Sequence, residues 1–269
     1  MLLIEKQLQP SSLIVNNDWM PTQIKIFFDT CHPSTKFDFK YLQRLSLMEC
    51  TPSDLDYINT SVSQCNGLQS LCIIMKSSLD TNVNIVDYST IETLRNIAFN
   101  STFNTLTELQ LIMDEGIILD KQLHPNMNLT HLNISLQQVD DLFVLFDGLA
   151  PKLILLDVTL WQSDVSKQSL MRRSWSHRFM SHLIAFHLTT YKNVAMTFDH
   201  LRDIVMPLNQ VKDFTLDIRQ WITNDKQFVN GYHIDMVIRQ YMPCLQHFHC
   251  CIQTMENIDK QVNVLSYNL

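Results

Sequence analysis

The stretch Leu42-Gln43-Arg44-Leu45-Ser46-Leu47-Met48-Glu49-Cys50 contains an apolar spacing that recurs along the chain. Its apolar residues Leu42, Leu45 and Leu47 are spaced by three and then two positions. Successive side chains of a β-strand point to opposite faces, so Leu45 and Leu47 share one face and their neighbours share the other. The stretch therefore predicts a strand with one buried face.

The same spacing occurs at seven further places in the chain. They are Leu68/Leu71/Ile73, Leu106/Leu109/Leu111, Leu129/Leu132/Ile134, Leu153/Leu156/Val158, Leu183/Phe186/Leu188, Val211/Phe214/Leu216 and Leu245/Phe248/Cys250. The first apolar positions follow one another at intervals of 26, 38, 23, 24, 30, 28 and 34 residues. Such units are typical of leucine-rich repeats, which stack because a single unit cannot bury its own apolar face.

Helical patterns lie between several of these segments. Leu55, Ile58 and Val62 recur at helical spacing, and the segments 140–146 and 234–241 each end shortly before a proline. Strands that alternate with helices predict an α/β leucine-rich-repeat solenoid. We expect a horseshoe with a parallel concave sheet and helices on the convex side.

The domain interpretation assigns residues 39–269 to the repeats and residues 1–38 to an N-terminal capping or degenerate repeat segment. A solenoid end must cover its apolar layer, which favours a cap. Residues 22–28 mix strand alternation with a helical pattern, and residues 17–21 favour a turn. A truncated piece of a larger protein is an equal alternative.

Composition excludes several classes of function. The formal charge of −7 argues against a nucleic-acid partner, and no apolar run is long enough to cross a membrane. The chain has four glycines, no two of them within 30 residues, so no glycine-rich phosphate loop can form. No motif fixes Ser, His and Asp residues in a catalytic geometry. We therefore expect a protein that is not an enzyme and has no cofactor.

Two local groups of residues have alternative interpretations. His247, His249 and Cys251 alternate near Cys244 and are residue types that bind zinc, but their spacing matches no paired zinc motif, so we predict no metal site. The basic segment Lys167–Arg178 could contact phosphates or an acidic partner, although a solvated loop or helix is the simpler interpretation.

The N-terminal sequence and the cysteines bear on the compartment. Met1-Leu2-Leu3-Ile4 is followed directly by Glu5 and Lys6, which does not match a secretory signal. The seven cysteines are an odd number, and two occupy apolar repeat positions. These features predict a reducing compartment, the cytoplasm or the nucleus.

The residues that flank the buried positions would form the concave face. Four acids and one arginine, Arg44, are the charged residues among them. The candidates for polar contacts with a partner are Glu108, His131, Asp157, His187, Asp213, Asp217, His247 and His249. An acidic face of this kind suits a basic peptide, and histidine protonation on acidification would weaken that binding. A solvated face without a ligand is the alternative.

The chain resembles the leucine-rich-repeat half of F-box/leucine-rich-repeat proteins. The resemblance covers about residues 39–252 and rests on the diverged repeats, their irregular spacing and lead-ins such as Pro151-Lys152-Leu153 and Pro243-Cys244-Leu245. It implies a substrate receptor of an SCF-type ubiquitin ligase that captures a protein substrate or peptide. Residues 1–38 contain no F-box pattern. The ligase adaptor would be a partner if an F-box lies upstream, and a free-standing repeat scaffold or adaptor protein is the alternative.

Overall fold

A computed structural model gives the fold of the chain. It describes residues 10–20, 22–30, 41–62, 65, 67–76, 88–99, 105–120, 122–161, 180–191, 198–221, 231–254 and 262–268. The basic segment Lys167–Arg178 and Cys31 lie outside these residues. The chain divides into two compact units, Met1–Asp114 and Glu115–Leu269.

The first unit alternates strands with helices. Its elements are β1 (Ser12–Asn16), α1 (Gln23–Thr30), β2 (Arg44–Cys50), α2 (Pro52–Val62), β3 (Ser70–Met75), α3 (Tyr88–Phe99) and β4 (Glu108–Ile112). The four strands pair in chain order and are all parallel. The ambiguous segment 22–28 lies mainly in helix α1, and the strand that precedes it is β1.

The second unit also pairs its strands in chain order. Its elements are β5 (His131–Leu136), α4 (Val139–Val144), which continues as a π-helical turn over Leu145–Leu149, β6 (Leu155–Leu160), β7 (Ala185–Thr190), α5 (Phe198–Val205), β8 (Asp213–Trp221), α6 (Gly231–Tyr241), β9 (His247–Thr254) and β10 (Val262–Asn268). Strands β5 to β9 are parallel, whereas β10 is antiparallel to β9.

The eight strands expected from the apolar spacing are confirmed, as are the helices expected after residues 51, 139 and 233. Equivalent apolar positions pair with one another, so that Leu132 lies opposite Leu156 and Phe186 opposite Phe214. All the repeat positions are buried except Leu245, which is partly exposed. The α/β prediction is therefore correct. Strand β10, which the apolar spacing did not predict, is antiparallel to β9.

Buried aspartates fix the starts of two helices. The Asp54 carboxylate accepts hydrogen bonds from the Thr51 backbone N–H at 2.8 Å and from Asn17 Nδ2 at 3.0 Å. Asp141 likewise accepts from the Gln138 N–H at 2.8 Å. Each carboxylate satisfies an amide that the first helical turn leaves without an intrahelical partner. These hydrogen bonds fix the residues at which α2 and α4 begin.

Three phenylalanines form a stacked row in the core of the second unit. Phe214 stacks on Phe186 at 5.6 Å between ring centroids and on Phe248 at 5.5 Å. All three rings are buried at the same register position of β7, β8 and β9. The row ties these strands together through their side chains as well as through backbone hydrogen bonds.

His200 on α5 makes the stability of the fold depend on pH. It is buried, and this burial lowers the pKa of His200, while Asp203, Asp140 and Asp199 partly oppose the shift. Because the unfolded chain takes up this proton first as pH falls through about 6.5, protonation of this site favours unfolding.

We therefore expect the stability contributed by His200 to fall between about pH 7 and 5. Urea unfolding of the wild type and of His200→Gln at a series of pH values measures it. The free energy of unfolding of the wild type should decline relative to that of the variant as pH falls. A difference that stays constant over this range would show that the pKa of His200 does not change on folding.

Candidate protein-binding face

The outward side chains of β5 to β9 lie in three rows that cross the strands in register. We call this surface the β5–β9 face. The first row is His131, Leu155, Ala185, Asp213 and His247; the second is Asn133, Asp157, His187, Thr215 and His249; the third is Ser135, Thr159, Thr189, Asp217 and Cys251. Neighbouring members of a row are about 4.8 Å apart across the strands, so they form one continuous surface.

Seven of the eight candidate residues share this face, and Glu108 does not. Glu108 belongs to the first unit, where β4 places it in register with Ser70 and Arg44. The seven others are partly or fully exposed, as expected for the outward side of a strand. The β5–β9 face is therefore the described surface on which these candidates converge.

Ser135 belongs to the third row, in register with Thr159, yet it is buried. The segment around Ile117 runs beside β5, where the Ile117 N–H donates to the Ser135 carbonyl at 2.8 Å and the Gln137 N–H donates to the Ile117 carbonyl at 3.1 Å. The Ile117 backbone therefore lies beside Ser135. Because Ser135 is buried, the third row is less exposed at β5 than at the following strands.

Asp213 and His247 form a cross-strand pair in the first row. His247 Nδ1 lies 2.5 Å from Asp213 Oδ1, and both side chains are substantially exposed. An ionised carboxylate can only accept a hydrogen bond, so Nδ1 carries the proton and donates it. The Asp213 carboxylate is therefore already hydrogen-bonded to His247 within the β5–β9 face.

Asp157 and His187 form a looser pair in the second row. His187 Nδ1 lies 4.0 Å from Asp157 Oδ2, which is beyond hydrogen-bond distance. Burial raises the pKa of Asp157, and the nearby His187 charge partly opposes this shift. On acidification Asp157 therefore takes up a proton earlier than an ordinary exposed aspartate.

Asp217 pairs with Arg219, which the sequence analysis missed. Arg219 Nε and Nη2 each donate to Asp217 Oδ2 at 3.1 Å. The Arg219 N–H also donates to Thr190 Oγ1 at 2.9 Å, which fixes the end of β8 against β7. Extending the alternation on β8 by one more outward position would have found this arginine. The face is consequently less acidic than predicted.

An aromatic pair lies beyond the third row and was also missed. Trp161 and Tyr191 follow β6 and β7, and their ring centroids are 4.0 Å apart with an angle of 35° between the ring planes. Both continue the outward alternation of their strands, next to the position that Arg219 occupies on β8. Trp, Tyr and Arg are the residue types most enriched at binding hot spots.

Two neighbouring cysteines lie on β9, Cys250 inside the core and Cys251 on the outward side. Burial raises the pKa of Cys250 to about 12, and burial also raises the pKa of Cys251, so both remain thiols at neutral pH. Within the described residues, no three His, Cys, Asp or Glu side chains lie close enough together to hold a metal ion. Cys50, Cys72, Cys244, Cys250 and Cys251 are free thiols.

Two remaining observations concern membrane crossing and similarity to known proteins. Among the helices that the structure describes, none combines the length and the apolar composition needed to cross a membrane. No protein-family model matches the chain, and no curated protein matches it either.

Proposed function

We propose that this chain is a leucine-rich-repeat solenoid that acts as a non-enzymatic protein-recognition module. Its horseshoe would present the β5–β9 face on the concave side and bind an extended basic segment of a partner protein. The observation that carries the proposal is the register of this face, which brings Asp157, Asp213 and Asp217 from distant parts of the sequence onto one surface. Such convergence of exposed polar residues suits binding to a macromolecule.

The carboxylates on this face can attract a basic partner, although two of them lie beside a histidine and the third lies beside an arginine. His187 and His247 are neutral imidazoles when unprotonated, so they do not cancel the charges of Asp157 and Asp213. Arg219 offsets one of the three aspartates. The strands of the face therefore keep two carboxylates that no strand cation offsets, and these favour encounter with a basic partner more than final affinity.

Trp161 and Tyr191 add an apolar contact area beside these charges. Binding energy at interfaces concentrates in a few residues of this type, whereas most contacts are nearly neutral. The proposed surface therefore combines charged residues that orient a partner with an aromatic pair that anchors it.

The resemblance to F-box/leucine-rich-repeat proteins adds a more specific proposal, that the captured partner is a ubiquitination substrate. A free-standing scaffold or adaptor without a ligase is the second candidate. Affinity capture distinguishes them, since recovery of the ligase adaptor together with a substrate favours the first. Recovery of the same substrate without the adaptor favours the second.

The basic-partner proposal predicts the effect of removing the three carboxylates. Replacing Asp157, Asp213 and Asp217 together with Asn should weaken capture of the partner about tenfold at low salt, because electrostatic attraction is lost. The measurement is the dissociation constant of the captured partner as a function of salt concentration. The variant should also show a weaker salt dependence than the wild type.

A matched control removes three aspartates from the helices. Asp56, Asp199 and Asp235 lie on α2, α5 and α6, outside the β5–β9 face. Their joint replacement with Asn changes the net charge equally, so it should leave affinity nearly unchanged. Equal effects of the two triple variants would exclude a site on the face. Loss of binding in neither would direct attention to the Lys167–Arg178 segment.

A further inference from the structure

An acidic and an aromatic residue lie four positions apart on the outward side of β6. Asp157 belongs to the second row, and Trp161 directly follows the strand. At about 3.3 Å per residue, the two positions are about 13 Å apart along the strand. The outward position between them is Thr159, a small uncharged side chain that is partly exposed. An extended chain can therefore lie over Thr159 and contact both residues.

The Asp157 carboxylate is available to a charged donor. His187 Nδ1 lies 4.0 Å away, and within the described residues no group donates a hydrogen bond to this carboxylate. Because the carboxylate is partly buried, a charge-assisted hydrogen bond to it is stronger than one in bulk water. Lys152 and Lys212 precede β6 and β8, so both lie outside the stretch from Asp157 to Trp161.

The aromatic end of this stretch suits an uncharged ring rather than a second cation. Trp161 and Tyr191 lie 4.0 Å apart between ring centroids, and the backbone N–H of each donates to the neighbouring strand. Arg219 lies beside the end of β7, where its N–H donates to Thr190 Oγ1. Since Arg219 already supplies a positive charge here, a basic side chain gains little, whereas an apolar ring can pack on the aromatic pair.

We infer that the partner segment carries a lysine or arginine and, four residues away, an aromatic residue. The basic residue would contact Asp157, and the aromatic ring would pack on Trp161 and Tyr191. This inference rests on the proposed function and specifies the sequence of the partner. Every second side chain of an extended segment points the same way, so positions i and i+4 reach the face together when the segment runs along β6. Packed sheets keep their strands within about 30° of each other, which is the orientation that this contact requires.

Two synthetic peptides of identical composition test the spacing. Phe-Ser-Ser-Ser-Lys-Ser-Ser-Ser-Phe places a phenylalanine four residues from the lysine in either chain direction. Its isomer, Ser-Ser-Phe-Ser-Lys-Ser-Phe-Ser-Ser, places it two residues away. Titration of isotope-labelled protein at low salt, followed by the NMR shifts of the β6 backbone amides, gives both dissociation constants. The first peptide should bind about tenfold more tightly than its isomer, as expected for one aromatic anchor.

Three variants identify the residues responsible for this difference. Trp161→Ala should lower the affinity of the first peptide to that of its isomer and leave the isomer unchanged. Asp157→Asn should weaken both peptides to a similar degree, because both carry the lysine. Trp19→Ala is the matched control, since Trp19 belongs to the first unit and is 89% exposed, and it should change neither affinity.

The outcomes separate the inference from the proposed function. Equal affinity of the two peptides for the wild type, or a preference that survives Trp161→Ala, overturns the inference alone. Absence of binding by both peptides while octalysine binds does the same. Absence of binding by both peptides and by octalysine at low salt overturns the proposed basic-partner function and the inference together.

Discussion

Replacing Phe214 with Ala should lower the free energy of unfolding by about 3–5 kcal/mol, because a fully buried aromatic ring leaves a cavity that its neighbours fill only in part. Phe214 is the middle ring of the stacked row and is 1% exposed. Its removal also ends both stacking contacts, at 5.6 Å to Phe186 and 5.5 Å to Phe248. Phe214→Leu retains much of the apolar volume and should cost about 1 kcal/mol.

Denaturant unfolding followed by circular dichroism measures these changes, and Thr215→Ala is the matched control. Thr215 is the next residue on β8 and points outward, so its truncation should change stability by about 0.5 kcal/mol or less. If Thr215→Ala cost as much as Phe214→Ala, the strand would have the opposite face buried. The result therefore tests the register of β8 directly.

The sequence predicted the strands well because their pattern is local. Leu45 and Leu47, for example, lie two residues apart, and burial of both determines which way the side chains from Arg44 to Met48 point. Strand β1 was harder to find because no leucine occupies the position three residues before Leu13. The antiparallel direction of β10 is not encoded by apolar spacing.

The sequence predicted only part of the candidate site, because the repeat motif covers only part of each strand. His187, Asp213 and His247 follow from alternation and from the assumption that equivalent repeat positions pair, which the register confirms. Trp161 and Arg219 lie one outward position beyond the repeat motif, so a search limited to the motif excluded them. Because Arg219 was among the residues left out, the predicted acidity of the face was too high.

The burial of Ser135 could not be predicted from the repeat, because it depends on a segment outside the motif. Glu115 and Gly116 have positive φ angles of 70° and 74°, and the chain then forms a bridge from Ile117 to Leu136. Two consecutive residues in this conformation turn the backbone sharply against β5. Positive φ is uncommon for a residue such as Glu115, and the sequence offered no turn signal other than the single glycine.

Gly116→Ala should therefore destabilise the second unit by about 3 kcal/mol, through the combined cost of a left-handed alanine and of overlap with β5. A Cβ at this position would lie 2.3 Å from the Leu136 carbonyl carbon and 2.4 Å from the Gln137 nitrogen. Both atoms belong to the backbone, so relief requires β5 or the Ile117 segment to move. We expect the bridge to Leu136 to open and Ser135 to become accessible.

Glu115→Ala is the control that separates the two costs, because Glu115 already holds a Cβ at almost the same φ. This substitution keeps the backbone conformation and should change the free energy of unfolding by about 0.5 kcal/mol or less. Denaturant unfolding gives both values, and amide hydrogen exchange at Ile117 and Gln137, whose N–H groups donate across the bridge, reports its opening. If Gly116→Ala left stability and exchange unchanged, the close approach of this segment to β5 would be wrong. The burial of Ser135 would then need another cause, and the third row of the β5–β9 face would be as open as the sequence predicted.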